Sequence, residues 1–233
     1  SQALAAFSRM NGLAVIKPRA GSRGRHTTTN IRDEVALRAA FKSAKKLCQY
    51  VCVTRHLSGS ICRGTVVNGK LVGFFQADPP RLVGNGVATI RELLDAKNNA
   101  RHERVQPVEL REEHQAYLRR AGYTSESVLR DGEVLDLTHR TGRLFGGETR
   151  ELLAEVHPKL RAYLERAAQA LNVPIVGFDL IVKDPTADPD TEEWGIIEAN
   201  SLPFIDLHYL PLYGEPSNVA KHLWDLWHEK SPA

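Results

Sequence analysis

The chain has 233 residues, of which 42% are apolar and 25% charged, and its formal net charge is +3. This length suffices for one large or two small domains with a real core, and the composition excludes a disordered or fibrous protein. The small net charge gives no argument for nucleic-acid binding, and the apolar stretches at 13–16 and 175–182 are too short to span a membrane.

The three cysteines, Cys48, Cys52 and Cys62, are odd in number and unevenly placed, which predicts unpaired thiols in a reducing compartment. No signal-peptide pattern is found at residues 1–10. We therefore expect a cytoplasmic protein with neither a membrane nor a nucleic acid as partner.

The first 77 residues predict short helices and strands in an α+β order. We expect helices at 2–9 and 34–47 and strands at 13–17, 27–31, 49–57, 61–67 and 71–76. A loop at 18–26 connects the first two strands. Asp33 is placed to cap the second helix, and Asn68-Gly69 predicts a hairpin turn. We assign residues 1–77 to one subdomain with mostly antiparallel pairing.

Residues 78–233 are assigned to a second α+β subdomain. Helices are predicted at 89–97, 111–121, 151–171 and 218–228, and strands at 133–137, 175–182 and 194–199, the last two forming a hairpin. Thr89 and Glu92 have the spacing of a capping box. The terminal helix has an apolar stripe that we expect to pack in the core, formed by Val219, Leu223, Trp224 and Trp227.

Three polar residues of the late hairpin are predicted to share one sheet face. Glu198 and Asn200 are two residues apart on a strand, and pairing with the preceding strand brings Asp179 to the same face. Three oxygen donors without thiol or imidazole favour Mg²⁺ over Zn²⁺. The alternative is that the carboxylates form structural ion pairs with nearby arginines.

A glycine-rich segment follows the first strand. Lys17 ends the strand, and Gly21 and Gly24 lie in the loop after it, a pattern that suits phosphate binding by backbone N–H groups and a point charge. The order of residues fits neither a Walker motif nor a dinucleotide fingerprint. An exposed basic turn is the alternative interpretation.

Collinear motifs over nearly the whole chain resemble the ATP-grasp superfamily, and within it the cyanophycin synthetase-like group, which includes the ligase half of bifunctional glutathione synthetases. The most distinctive match is Pro79-Pro80-Arg81-Leu82-Val83-Gly84-Asn85-Gly86 followed by Thr89-Ile90-Arg91-Glu92-Leu93-Leu94. Others are Val15-Ile16-Lys17-Pro18, Ile61-Cys62-Arg63, Gly146-Gly147, Gly177-Phe178-Asp179, Ile197-Glu198-Ala199-Asn200 and His208. The resemblance implies two α+β subdomains that clamp a nucleotide between mostly antiparallel sheets.

The resemblance also implies a role for each matching position. Lys17 and Arg63 would act on the phosphates or the acyl-phosphate, and Mg²⁺ would be held by Asp179, Glu198 and Asn200. ATP would be bound by Lys17, Gly21, Ser22, Arg23, Gly24, Arg25, Thr54, Arg55, His56 and Leu57. The implied reaction is ADP-forming: ATP activates a carboxylate, and an amine of an amino acid or peptide-like substrate attacks the acyl-phosphate.

Departures from the family pattern leave alternatives open. The family has a preceding substrate-binding domain, so we expect this chain to be a fragment that works with that missing N-terminal domain, and homo-oligomerisation stays open. Thr54 follows Val53 in the hinge, where the family usually has an acidic residue; Thr138 stands where an arginine is usual, and Gly142 where an asparagine is usual. These changes favour a second interpretation, an ATP-binding module with lost or regulatory activity. A nucleic-acid binder is disfavoured because its basic loop lacks interleaved aromatic residues.

Overall fold

The computed structural model describes residues 2–10, 13–21 and 24–230. They form two compact units, residues 1–56 and residues 57–233. The division falls between His56 and Leu57 rather than at residue 77, because strand 60–67 hydrogen-bonds to strand 175–182 of the second unit. Among the described residues, no helix is long and apolar enough to cross a membrane.

The first unit is a three-stranded antiparallel sheet packed against helices. Its elements are α1 (Gln2–Ser8), β1 (Ala14–Pro18), β2 (Thr28–Ile31), α2 (Glu34–Lys45) and β3 (Val51–Arg55), and the strand order is β2-β1-β3. Asp33 caps α2 as predicted, since its Oδ1 accepts a hydrogen bond from the Ala36 N–H at 2.7 Å. Ala14 and Ile16 of β1 are fully buried against Leu37 of α2. Because side chains alternate along a strand, Val15 and Lys17 lie on the opposite face of this sheet.

The second unit contains a five-stranded and a two-stranded antiparallel sheet. Its strands are β4 (Ser60–Val67), β5 (Lys70–Ala77), β6 (Arg81–Val83), β7 (Val134–Asp136), β8 (Thr149–Glu151), β9 (Ile175–Val182) and β10 (Gly195–Asn200). Its helices are α3 (Ile90–Ala100), α4 (Glu112–Ala121), α5 (Pro158–Leu171) and α6 (Val219–Lys230). The large sheet has the order β10-β9-β4-β5-β8, and β6 pairs with β7.

Helix α5 covers one face of the large sheet. Leu160 and Leu164 of the helix are fully buried against apolar residues of β4, β5 and β9. A Cβ on Gly64 would lie 2.7 Å from Leu164 Cδ1, so glycine in β4 permits this close packing. Asn68 and Gly69 have φ angles of 49° and 74° and close the predicted β4–β5 hairpin.

The small sheet packs on α3 and α4 around a separate core. Ile90 and Leu94 of α3 and Leu118 of α4 are buried there. The capping box predicted for α3 is confirmed: Thr89 accepts from the Glu92 N–H, and the Glu92 carboxylate accepts from the Thr89 N–H at 2.8 Å.

The predicted helix at 151–171 is wrong in its first third. Residues 149–151 form β8, residues 152–156 form a turn, and α5 begins only at Pro158. A proline fits the first turn of a helix, where its missing N–H is not needed, but it breaks a helix interior. Glu151, placed by periodicity in a helix, instead ends a strand and is 3% exposed.

The tryptophans expected in the core face away from it. On α6, Val219 and Leu226 are buried, whereas Trp224 and Trp227 are 64% and 70% exposed. At 100° per residue, Trp224 and Trp227 lie roughly 140° and 80° around the helix from Val219, outside the buried stripe. The predicted stripe is therefore confirmed for Val219 and Leu223, which pack in the core, and wrong for the two tryptophans.

Acidic residues of the β9–β10 connection are held by a lysine of α5. Lys159 Nζ lies 2.6 Å from Asp188 Oδ2 and 3.0 Å from Asp190 Oδ2. Hydrogen bonds from Lys159 and from the Asp190 N–H lower the pKa of the Asp188 carboxyl. This network anchors the loop between the two strands that carry the candidate metal ligands.

Candidate functional site

Three cross-strand neighbours form a polar row on the large sheet. In the strand register, Asp179 of β9 lies opposite Arg63 of β4 on one side and opposite Glu198 of β10 on the other. Residues directly opposite each other in a sheet share a face. Asn200 is two residues from Glu198 and joins the same face. The strand register therefore places Asp179, Glu198 and Asn200 on one face, as predicted, and adds Arg63 to the same face.

The alternation of β9 fixes which side chains reach this face. Phe178 and Leu180 are buried against α5, so Gly177 and Asp179 point to the other side of the sheet. A Cβ on Gly177 would lie 2.6 Å from the Pro203 Cβ and 3.1 Å from the Arg63 Cδ. Glycine at this position leaves the space in which the Arg63 side chain lies.

Asp179 is engaged by two neighbours. Arg63 Nε donates to Asp179 Oδ1, and Arg63 Nη2 donates to Asp179 Oδ2 at 3.0 Å. The two side chains are only 17% and 19% exposed. Asn200 Nδ2 lies 3.4 Å from the same Oδ2. The ion pair considered from the sequence therefore exists for Asp179, with Arg63 as its partner.

Glu198 differs from Asp179 in its surroundings. It is exposed on the edge strand β10, where the register shifts between Ile196 and Glu198. Among the side chains that the structure describes, none forms a hydrogen bond or ion pair with Glu198. The described part of the chain contains no group of three or more His, Cys, Asp or Glu arranged for a metal. The candidate site therefore consists of two carboxylates and an amide oxygen, a hard donor set suited to a cation that also takes phosphate and water oxygens.

A second polar cluster on the same sheet face was missed by the sequence analysis. His208, fully buried, lies 2.7 Å from Thr65 Oγ1 through Nε2 and 2.7 Å from Glu151 Oε2 through Nδ1. The other Glu151 oxygen accepts from the Phe74 N–H at 2.7 Å and from Ser217 Oγ at 3.0 Å. Motif resemblance marked His208, but no local pattern linked it to Glu151.

The first unit places Lys17 and Thr54 on one sheet face. Val15 lies opposite Thr54 and Lys17 lies opposite Cys52, all on the face turned away from Leu37 and α2. Thr54 is exposed and Lys17 is half-buried. Two predicted nucleotide contacts of this unit are therefore on the same side of its sheet.

The glycine-rich loop is described only in part. Gly21, Gly24 and Arg25 are exposed, and Gly24 has a φ of 64°, a conformation that glycine adopts without strain. Ser22 and Arg23, also predicted to bind phosphate, lie outside the described residues.

The predicted hinge spans the end of β3 and the boundary of the first unit. Thr54 and Arg55 are the last residues of β3, and the N–H of His56 donates to the Leu13 carbonyl at 3.2 Å. Burial, with a smaller contribution from Arg32, lowers the pKa of His56. His56 is therefore mainly neutral at pH 7 and does not add a positive charge for phosphate binding. Leu57 begins the second unit.

The positions where the sequence departs from the family pattern contain no charged replacement. Thr138 is 5% exposed, and Gly142 is a left-handed turn residue whose N–H donates to the Asp78 carbonyl. The Arg140 guanidinium carbon, two residues after Thr138 in the chain, lies 5.3 Å from the Phe145 ring centroid, and Arg140 Nη2 lies 3.6 Å from Glu113 Oε2. The Arg140 guanidinium therefore interacts with Phe145 and Glu113 of the second unit.

The chain matches known proteins along most of its length, although no protein-family model matches it. It is 31% identical over 218 residues to the cyanophycin synthetase of Trichormus variabilis, covering 91% of this chain and 24% of that protein. Identity to the cyanophycin synthetase of Geminocystis herdmanii is 32% over 221 residues, covering 91% and 25%. Identity to the glutathione biosynthesis bifunctional protein GshAB of Mannheimia succiniciproducens is 27%, covering 94% and 30%. The chain spans about a quarter of the length of the first two relatives.

Two solved structures share the fold. The bifunctional glutathione synthetase from Pasteurella multocida aligns over 98% of this chain and 32% of its own, with a TM-score of 0.54 and 24% identity. The ATP-grasp ligase PsnB, complexed with a minimal precursor, aligns over 98% of this chain and 51% of its own, with a TM-score of 0.52 and 12% identity. At these identities the structural likeness is evidence for the fold alone.

Proposed function

The chain has the ATP-grasp fold and is related to cyanophycin synthetase and bifunctional glutathione synthetase, and on that premise we propose that it is the ATP- and Mg²⁺-binding part of a carboxylate–amine ligase. The observation that supports this most directly is the polar row of the large sheet. Asp179, Glu198 and Asn200 offer oxygen donors on one face, and Arg63 lies beside them. In this assignment ATP converts a carboxylate to an acyl-phosphate, ADP leaves, and an amine displaces the phosphate.

The donor chemistry fits Mg²⁺. Glu198 has an open, solvent-exposed carboxylate. Asn200 directs its Nδ2 toward Asp179, and a flip of the terminal amide would turn its oxygen to the same site. When bound, the metal neutralises phosphate charge and orients the phosphoryl group. Asp179, Glu198 and Asn200 would hold it, and a set of only two carboxylates leaves positions for phosphate oxygens and water.

The protein's own cations act on the anionic groups. Arg63 presents a guanidinium that binds two oxygens at once, which suits a transferring phosphoryl group or an acyl-phosphate. Lys17 supplies a point charge to the nucleotide phosphates, with the N–H groups of the Gly21 to Arg25 loop. The backbone from Thr54 to Leu57 would bind adenine, because main-chain N–H and C=O groups at a strand end can form hydrogen bonds with the edge of the base. Catalysis of this kind relies on positioning and charge neutralisation and needs no side-chain nucleophile.

A second candidate is an ATP-binding module without ligase activity. The observation in its favour is that Thr138 and Gly142 stand where an arginine and an asparagine are usual, while Arg140 contacts Glu113 and Phe145. Loss of an arginine weakens binding of the doubly charged acyl-phosphate more than binding of ATP. The module would therefore bind the nucleotide and turn it over poorly.

Calorimetry on the full chain tests both candidates. We expect ATP binding that requires Mg²⁺, lost in Glu198→Gln and retained in Glu103→Gln, a matched change at an exposed glutamate outside the site. The absence of Mg²⁺-dependent binding in the wild type contradicts both candidates.

Turnover then separates them. ADP release that requires both an acid and an amine, measured across a panel of amino acids and short peptides, supports the ligase. The same panel is run on the full-length gene product, because the chain spans about a quarter of its cyanophycin synthetase relatives and the substrates remain a proposal. Tight Mg²⁺–ATP binding with no ADP release in either form supports the module.

A further inference from the structure

The Asp179 carboxylate has two competing partners, Arg63 and the proposed metal ion. Arg63 contacts both oxygens of Asp179, with Nε on Oδ1 and Nη2 on Oδ2. The proposed metal site needs Asp179 as a ligand. A guanidinium that binds a carboxylate with both donors takes up one in-plane lone pair on each oxygen, and Asn200 Nδ2 approaches Oδ2 as well, so few acceptor sites are left for a metal ion. Full occupancy by both cations is therefore disfavoured by geometry and by the repulsion of like charges.

Resting on the proposed function, we propose that Asp179 exchanges Arg63 for Mg²⁺, so that metal binding releases the Arg63 guanidinium to the transferring phosphoryl group. Without the metal, the ion pair satisfies a carboxylate that is only 19% exposed in the middle of a sheet. An unpaired carboxylate there is unfavourable. With the metal, the same carboxylate has a new cation, and the arginine needs a new anion.

The neighbours of Arg63 direct it to a ligand once it is released. The residue opposite it on β5 is Phe75, which has no side-chain acceptor. Thr65, two residues along β4, is already bonded to His208. Glu198 is two strand spacings away, about 10 Å in a β-sheet. A phosphate or acyl-phosphate bound beside the metal supplies the anion that these positions lack.

In this exchange, the Arg63 guanidinium becomes available to the phosphoryl group only when the metal is bound. An empty site keeps the arginine on Asp179 and does not present it to the nucleotide. A loaded site presents metal and guanidinium together, on the face where the phosphoryl group moves. Arg63 is thus a switched residue of the site rather than a permanent phosphate ligand.

NMR of ¹⁵N-arginine-labelled full chain tests the exchange directly. The Nε–H signal of Arg63, assigned by its loss in Arg63→Lys, is followed in the free protein, with ADP in EDTA, and with ADP and Mg²⁺. We expect it to shift and lose solvent protection only when Mg²⁺ is added. The internal control is Arg81, whose Nε donates to Asp136 Oδ1 at 2.7 Å in the same unit; its signal should not move.

The Mg²⁺ requirement of ADP binding provides the second readout. If Arg63 competes with the metal, Arg63→Lys lowers the half-saturating Mg²⁺ concentration by about tenfold, since the two-donor guanidinium contact on Asp179 is replaced by a single ammonium contact that the metal breaks more easily. Arg81→Lys leaves that concentration unchanged. Circular dichroism verifies that both variants are folded.

The outcomes are separable. An Arg63 signal that stays in place while calorimetry records Mg²⁺-dependent ADP binding overturns the exchange and leaves the proposed function intact. An unchanged or higher Mg²⁺ requirement in Arg63→Lys also overturns it. If the wild type binds no ADP with Mg²⁺, the proposed function fails, and the exchange fails with it.

Discussion

Replacing His208 by alanine should strongly destabilise the second unit. The ring is fully buried and hydrogen-bonds with both Thr65 and Glu151, and it meets the Phe75 ring edge-on at 6.1 Å. Gly73 lies beneath it: a Cβ there would be 2.6 Å from the ring, so no neighbouring side chain fills the space that alanine leaves. Removing one partner of a buried carboxylate costs about 3–5 kcal/mol. We expect the lower value, about 3 kcal/mol, because Glu151 keeps two donors on its other oxygen.

Urea unfolding followed by tryptophan fluorescence measures this change. All 3 tryptophans lie in the second unit, so the signal reports that unit. The matched control is His222→Ala on the exposed side of α6, expected within about 0.5 kcal/mol of wild type. In the double variant His208→Ala/Glu151→Gln, the loss of unfolding free energy should be smaller than the sum of the two single losses by at least about 1 kcal/mol. The reason is that Glu151→Gln already removes the carboxylate to which His208 hydrogen-bonds. A His208→Ala cost below about 1 kcal/mol, or strict additivity with Glu151→Gln, would refute the reasoning.

Local interactions yield further measurable changes. Thr89→Ala removes the α3 cap and should lower the unfolding free energy by about 1 kcal/mol in urea, whereas Thr89→Ser should preserve it. Gly147→Ala places a Cβ 1.8 Å from the Asp78 carbonyl oxygen, and should lower stability by at least about 1–3 kcal/mol in the same assay. The pKa of Asp188 is lowered in the folded chain, so its contribution to stability is complete above the unfolded pKa and disappears as pH falls through the folded one. Carboxyl NMR titration should give a low midpoint for Asp188 that rises in Lys159→Met but stays below the ordinary value, because the hydrogen bond from the Asp190 N–H remains.

The arrangement of the candidate metal ligands on one sheet face was predictable because its information is local. Two strands joined by one loop form a hairpin, and a period of two assigns each side chain to a face. Asp179, Glu198 and Asn200 all lie within that hairpin, and the register pairs Glu198 with Asp179 as required. Likewise, Asp33 and Thr89 cap helices from within four residues of their targets.

What the sequence could not give depends on strand pairing over long separations. Arg63 and Asp179 are 116 residues apart, and Glu151 and His208 are 57 apart. Neither pair leaves a periodic signal, because each is created only when β4 aligns with β9 or when the segment after β10 folds over β5. The same pairing moved β4 and β5 into the second unit and set the boundary at His56, whereas the sequence placed it after residue 77.

A comparison of two glutamates on the large sheet shows why the β10 end of its polar face is suited to a metal ion. Glu151 is 3% exposed, and its two oxygens have three partners, from Phe74, Ser217 and His208, so it has no capacity left for a metal. Glu198, on the edge strand at the other end of the sheet, is exposed and has no partner among the described side chains. Folding alone does not account for a carboxylate placed beside Asp179 in this way, because like charges on neighbouring strands are unfavourable without a cation. Arg63 supplies that cation to Asp179 but forms no ion pair with Glu198 among the described contacts. A divalent ion bound by both carboxylates would compensate the whole row, and this electrostatic requirement favours a metal site there independently of any resemblance.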